Sequence, residues 1–282
     1  MSRNETLIQI EDLMIDICSG KYHWKNAIEE LEYLFKTACD IYDPELDYSP
    51  LLEGYFNWMG ISHSSGIGRP RKSASALFVS KTDFLNQCDD LIDKHERFIR
   101  RQQQQRRSNF SRLVDKFERL VARHCKLLLV RVDVSYQYEA DIDIHQFNAD
   151  LRRLRRRIQS RDTCFKDVLT YSWAIEQGRE KGYHCHFLLI YNGSKCMRDG
   201  YYGEQMAEVW QDITGGDGYS FNCNRKGHKD NYRRFGTLGI GMIHRSNERE
   251  VENALKAISY LARAEKEDQH LRARIPGMRC FG

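Results

Sequence analysis

Two β-patterned runs set five residues apart constrain this chain more than any other feature. DVLTYSWAIEQ (167–177) and YHCHFLLIYN (183–192) are rich in β-branched and aromatic residues, and GREKG (178–182) lies between them. So short a gap makes the two runs antiparallel neighbours. It pairs residues whose numbers sum to 360, setting Glu176 opposite His184 and Ala174 opposite His186. Residues two apart share a face, so both histidines point one way and Cys185 the other. Cross-strand Cβ atoms lie about 4.5–5.5 Å apart, which lets the carboxylate reach a cation held by the two imidazoles. Two nitrogens and one carboxylate, with open positions left over, suit Mn²⁺ or Mg²⁺ in a phosphoryl-transfer site better than a closed zinc site. An H-x-H alone means little in a chain with ten histidines. The opposing carboxylate on a buried strand is what gives it weight.

The flanking patterns make this hairpin part of an α+β domain. LLLVRVDVSYQY (127–138) is another strand, and short strands follow near 219–223 and 238–244. HQFNADLRRLRRRIQS (145–160) is a helix with Phe147, Leu151, Leu154 and Ile158 on its inner face, and helices are also expected over 202–215 and 251–266. The order β-α-β-β-α-β-β-α predicts a five-stranded antiparallel sheet with packed helices over residues 121–282. Residues 1–120 read as an all-helical region without an assigned role, separate from the domain after it and dispensable for its chemistry. Leu7, Ile10, Leu13, Met14 and Ile17 mark one helix there, and Ile28, Leu31, Leu34 and Phe35 another. ISHSSGIGRPRKSAS (61–75) reads as a linker. FIRRQQQQRRSNF (98–110) is expected to interrupt or expose the long helical stretch from Lys81 to Cys125.

Charge divides along the same line. Residues 1–60 hold four Lys/Arg against twelve Asp/Glu, and the remainder holds 40 against 28, so an acidic first part precedes a basic second part of net +12. An anionic partner, nucleic acid first, is the expectation for the second. RRLRRR, comprising Arg152, Arg153, Arg155, Arg156 and Arg157, is a candidate track for a phosphate backbone. No apolar run reaches the ~18 residues of a membrane span and the start lacks a signal-peptide pattern, so a cytoplasmic protein with no membrane contact is expected. The nine cysteines are scattered, odd in number and without a C-x-x-C pair, which suits reduced thiols.

A second chemical element is Tyr260, with Lys256 four residues before it and Arg263 three after, all on one side of a predicted helix. Two cations beside a phenol can stabilise a phenolate and the charge that develops on a phosphate. The hydrophobic-flanked H-x-H followed some 75 residues later by Y-x-x-[KR] resembles the HUH endonucleases, which include rolling-circle replication initiators and relaxases. Within them the chain is most similar to inovirus-type replication proteins and to the YagK/YfjJ C-terminal domain family of prophages. The likeness covers about residues 126–282, through LLLVRVDVSY, GYHCHFLL and ISYLARAEK, and PGMRCFG looks like the family's basic-aromatic ending. It implies a divalent metal held by His184, His186 and Glu176, with Tyr260 as nucleophile and single-stranded DNA at a replication origin as partner; Lys256 and Arg263, from their spacing, are the candidate catalytic cations beside it.

Two departures stand out. Arg263 replaces the family's usual lysine, which keeps the charge but cannot handle a proton. Ala264 leaves no paired tyrosine, so a one-tyrosine mechanism is implied. A catalytically inactive DNA-binding regulator with the same fold is the alternative. A cupin-like oxygenase is disfavoured, because FLLIYNGSKC after His186 has no acidic residue. Asp133 is left open between approaching the site and pairing with a basic neighbour. GTLGIGMI (236–243) lacks the G-x-G-x-x-G spacing, and no G-x-x-x-x-G-K-[ST] occurs, so helicase activity has to come from a host partner.

Overall fold

The computed structural model describes residues 2–61, 80–137, 140–262 and 269–282. In chain order its first elements are α1 (Arg3–Cys18), α2 (Trp24–Tyr33), α3 (Phe35–Ile41), β1 (Asp47–Tyr48), α4 (Pro50–Trp58) and α5 (Lys81–Arg123). Then come β2 (Lys126–Tyr136), α6 (Ile144–Gln159), β3 (Val168–Gly178), β4 (Gly182–Asn192) and α7 (Asp199–Ile213). The last are β5 (Gly218–Asn222), α8 (Lys226–Arg234), β6 (Gly241–His244), α9 (Glu248–Ser259) and β7 (Ala273–Arg274). They form two compact units, Met1–Gln102 with His270–Met278, and Gln103–Gln269 with Arg279–Gly282. The division thus falls inside α5 instead of at residue 120, and a stretch near the end of the sequence returns to the first unit.

The first unit is helical because its apolar residues recur every three or four positions. Leu7, Ile10, Met14 and Ile17 of α1 pack with Leu31, Leu51, Leu52 and Tyr55 into one buried core. Ser2 starts α1 through a reciprocal cap: its hydroxyl accepts from the Glu5 N–H, and its own N–H donates to the Glu5 carboxylate. β1 and β7 pair as a two-residue antiparallel ribbon, too short to leave an alternating pattern. Beside it Glu11 is buried among Ser49 (Oγ–Oε1 2.6 Å), His270 (Nε2–Oε1 3.0 Å) and Arg272 (Nε–Oε2 2.7 Å). Burial opposes its ionisation, but His270, Arg272 and Ser49 outweigh that and hold its pKa down to about 2.

The second unit is a five-stranded antiparallel sheet of order β3-β4-β2-β5, with β6 also paired to β2. One face packs on the second half of α5 and on α9: Leu113 and Phe117 meet Leu127, Leu129, Leu188, Ile190, Ala254 and Ile258 in a common core. The other face carries α6 and α7, where Phe147 stacks on Tyr183 and meets Trp210 edge-on. Along one edge of β2, residues Lys126 to Leu129 pair with β6 and Val132 to Tyr136 with β5. Asn224 fills the step between them, accepting from the Arg131 N–H and donating to the Leu129 carbonyl. At the outer edge Cys280 to Gly282 run antiparallel to β3, with reciprocal N–H···O bonds between Trp173 and Gly282.

Of the two alternatives for the polar run 98–110, exposure holds and interruption does not: the run lies exposed to half-buried while α5 continues through it, since Arg and Gln are good helix formers. The last helix ends at Ser259 and gives way to a tight turn over Tyr260–Ala262, while residues 263–266 lie outside the described ones. α8 has no counterpart in the apolar pattern because it buries none of its residues. Most of the expected linker, from residue 62 on, also lies outside the described residues. No disulfide joins any of the nine cysteines. Among the described residues no helix is long and apolar enough to cross a membrane.

Candidate functional site

The β3–β4 hairpin sets the site's geometry. Its register pairs Glu176 with His184 and Ala174 with His186, and closes with Gly178 opposite Gly182, so only Arg179, Glu180 and Lys181 remain in the loop. Gly182 has φ of +58°, a left-handed conformation that glycine adopts at little cost. The sum of 360 holds from that closure to Thr170 opposite Ile190, and a bulge follows. Below the bulge the pleat puts Glu176, His184 and His186 on the face that packs against α9, all three buried.

One ligand atom from each of these three lies within 4.8 Å of the others. Glu176 Oε2 is 3.1 Å from His186 Nε2 and 3.5 Å from His184 Nε2. The opposite ring nitrogens are turned outward. His184 Nδ1 donates to the Gly182 carbonyl at 3.1 Å, and His186 Nδ1 lies 2.8 Å from Asp133 Oδ1, close but poorly aligned for a hydrogen bond. Both Nε2 atoms are thereby left to face the carboxylate. A carbonyl behind one imidazole and a carboxylate behind the other is how ligating histidines are usually backed. A buried carboxylate oxygen and two oriented imidazole nitrogens are a donor set of the kind that can hold a metal ion.

Asp133 reaches the site from β2, where it pairs with His186 on β4. Arg131, two residues earlier on the same face, grips it with Nε–Oδ1 at 3.3 Å and Nη2–Oδ2 at 3.2 Å. Burial opposes ionisation of Asp133, yet His186 and Arg131 outweigh it and hold the carboxyl well below the usual range. Burial likewise disfavours the imidazolium of His186, and Asp133 and Glu176 more than compensate, raising its pKa.

Tyr260 completes the cluster from the end of α9. Asn247 caps that helix, and Ala254 and Ile258, one turn apart, anchor it on the sheet. Because Ile258 and Leu261 are buried, half-buried Tyr260 emerges at the rim of the core. Its ring centroid lies 6.4 Å from that of His186, and the Arg131 guanidinium sits 4.5 Å over its face. A continuous run of contacts thus joins Tyr260, Arg131, Asp133, His186, Glu176 and His184. Lys256 is exposed on α9. Arg263 lies outside the described residues.

The arginines of α6 do not converge here. α6 packs on the opposite sheet face, where Arg155 lies 4.3 Å over the Trp173 ring. Arg153 pairs with Asp150, and Arg157 with Asp162. Arg152, Arg153, Arg155 and Arg156 line a groove of about 490 Å³ along that helix. Arg131 is the site residue that sequence reasoning passed over. The alternation of VRVDV would have put it on Asp133's face, but its stacking on Tyr260 depends on a contact across 129 positions of sequence.

The sequence model of the YagK/YfjJ C-terminal domain matches residues 88–282, more than half of the chain. The chain belongs to the YagK/YfjJ C-terminal domain family. The match takes in the whole sheet, the hairpin cluster and Tyr260, so all of the site just described lies inside this YagK/YfjJ domain. No curated protein and no solved structure matches the chain.

Proposed function

We propose that this YagK/YfjJ-family chain is an HUH-type endonuclease that nicks and rejoins single-stranded DNA. It would act as the replication initiator of a phage, prophage or other mobile element, in the manner of inovirus-type initiators. The observation that carries the reading is the meeting of Tyr260 with the buried Glu176–His184–His186 cluster, from elements more than 70 residues apart. A tyrosine beside a metal-ready carboxylate and two imidazoles has the parts for attack on phosphorus. A divalent cation held by His184, His186 and Glu176 would supply Lewis-acid polarisation of a phosphate oxygen.

The chain's own residues do the rest. Asp133 and the Gly182 carbonyl keep the imidazoles turned so that both Nε2 atoms face inward. Arg131, fixed by Asp133, holds the Tyr260 ring against rotation away from the cluster. In the reaction the Tyr260 oxygen bonds to phosphorus and the bond from phosphorus to the 3′ oxygen breaks. The phenolic proton is lost to solvent and the departing oxygen takes one up, leaving a 5′-phosphotyrosyl strand and a free 3′-hydroxyl. The reverse transfer rejoins the strand, and no nucleotide is consumed because one ester replaces another. Duplex unwinding falls to a host helicase.

The test is incubation with labelled single-stranded DNA carrying the element's origin and Mn²⁺, followed by a denaturing gel. A covalent protein–DNA band is expected from the native chain and none from Tyr260→Phe, which loses only the attacking oxygen while DNA binding persists. DNA binding without any adduct in the native chain would instead support an inactive regulator.

A further inference from the structure

A strand whose phosphate sits at the hairpin cluster has to lay its flanking nucleotides somewhere on the protein. One row of side chains crosses the sheet on the site's face: Ala174 on β3 pairs with His186 on β4, His186 with Asp133 on β2, and Asp133 with Phe221 on β5. The row does not stop at Phe221. Its ring meets His228 of α8 edge-on at 5.1 Å, and His228 meets Tyr232 one helical turn on at 5.2 Å. Tyr219 stands two residues before Phe221 and so shares its face.

Phe221 and His228 are half-buried, but the rings beyond them are not core packing. α8 buries none of its residues, while Tyr219 is 48% exposed, Tyr232 46% and Phe235 74%. Three of the eight exposed large hydrophobic residues among the described ones thus fall within 17 positions of sequence. Core formation does not require them there, and an exposed apolar cluster marks a contact surface. Its charge says what kind. Residues 218–235 hold five Lys/Arg and a single Asp. Arg225, Lys229 and Arg233 are taken up by Glu204, Asp199 and Asp230. Lys226 and Arg234 are exposed with no carboxylate against them among the described residues.

Exposed rings interleaved with uncommitted cations are the surface that single-stranded nucleic acid takes, since every unpaired base has a π-face and every linkage a negative charge. A duplex keeps those base faces stacked inside. We propose that β5 and α8 form the binding lane for the single strand beside the cleavage site. Bases stack on Tyr219, Tyr232 and Phe235, and phosphates are met by Lys226 and Arg234. This proposal rests on reading the hairpin cluster as the cleavage site, and deepens it by placing the substrate.

The test uses the full chain, fluorescence anisotropy with a labelled 20-mer of thymidylate, the same readout with a duplex of equal length, and a Mn²⁺ titration. Tyr219→Ala, Tyr232→Ala and Phe235→Ala are each expected to weaken single-strand binding about ten-fold, the usual loss of one stacked base. Mn²⁺ binding and duplex binding should stay as in the native chain, and Tyr232→Phe, which keeps the ring, should bind like it. If the native chain binds the 20-mer and all three alanine variants bind it equally well, the lane is wrong and the cleavage site stands. If the native chain neither binds the 20-mer nor forms the covalent adduct with origin DNA, the cleavage reading falls and takes the lane with it. Equal losses on single strand and duplex, or loss of self-association in place of DNA binding, would also overturn the lane.

Discussion

Replacing Asp133 with asparagine tests the whole arrangement behind the metal-ready cluster. The substitution keeps the side chain's shape and removes its charge. Asp133 lies 2.8 Å from His186 Nδ1, with its side chain 14% exposed, so water replaces it poorly. Loss of a carboxylate behind a ligating imidazole typically costs 10–100-fold in metal affinity, about 1.4–2.7 kcal/mol. A second effect comes through Arg131: the amide oxygen can still accept from one guanidinium N–H, but the NH2 group that replaces the other oxygen faces a donor, so one of the two contacts and the charge pairing are lost. Breaking a buried ion pair costs roughly 3–5 kcal/mol. Arg131's side chain is 14% exposed, so on the order of 2–3 kcal/mol of stability is the expected loss after screening. The assays are calorimetric titration with Mn²⁺ and urea unfolding of the metal-free chain. Asp150→Asn serves as the control: this buried carboxylate on α6 binds Tyr136 and Arg153 on the other sheet face, so it should cost stability and leave Mn²⁺ affinity alone. Unchanged Mn²⁺ affinity in Asp133→Asn would refute the orienting role. A loss as complete as that of His186→Ala would refute it differently, by making Asp133 a ligand itself.

Phe117 is fully buried in the core that carries the sheet, so Phe117→Ala should cost about 3–5 kcal/mol in urea unfolding. A chain beginning at Arg119, which lacks Phe110, Leu113 and Phe117, should show no cooperative melt, and a sharp transition there would mean the sheet does not need the second half of α5. The Glu11 carboxyl, with its pKa held at about 2 against an ordinary 4.5, stabilises the first unit fully above pH 4.5 and loses that contribution as pH falls toward 2. The amount is on the order of 3 kcal/mol. Melting curves from pH 6 to pH 3 should therefore fall more steeply for the native chain than for Glu11→Gln, and parallel curves would contradict the assignment.

How far these features were legible depends on the distance over which each is decided. Glu176 opposite His184 follows from a short loop and a period of two, both local, and the strand pairing obeys it to the residue. Tyr260 could be singled out from its neighbours in sequence, but not the manner of its approach: α9 stops at Ser259, and the turn that follows is what brings the ring beside His186. Asp133 stayed ambiguous because its partner lies 53 residues away on another strand, and only the β2–β4 register brings them together. The boundary at residue 120 followed a change of local pattern. The compact units follow packing, which assigns the second half of α5 to the sheet's core.

α8 shows the limit most directly. KGHKDNYRR carries no apolar stripe, so hydrophobic periodicity is blind to it, and only the folded chain reveals that its rings continue the row begun at His186. By itself the sequence determined the α+β class, the hairpin and its paired histidines and carboxylate, because alternation and loop length act between near neighbours. The tertiary structure alone decided which strand lies beside that hairpin, and so that Asp133 backs His186, that Arg131 covers Tyr260, and that the basic helix α6 faces away. Those outcomes are set by side chains packing across long stretches of chain, where no local spacing carries the information.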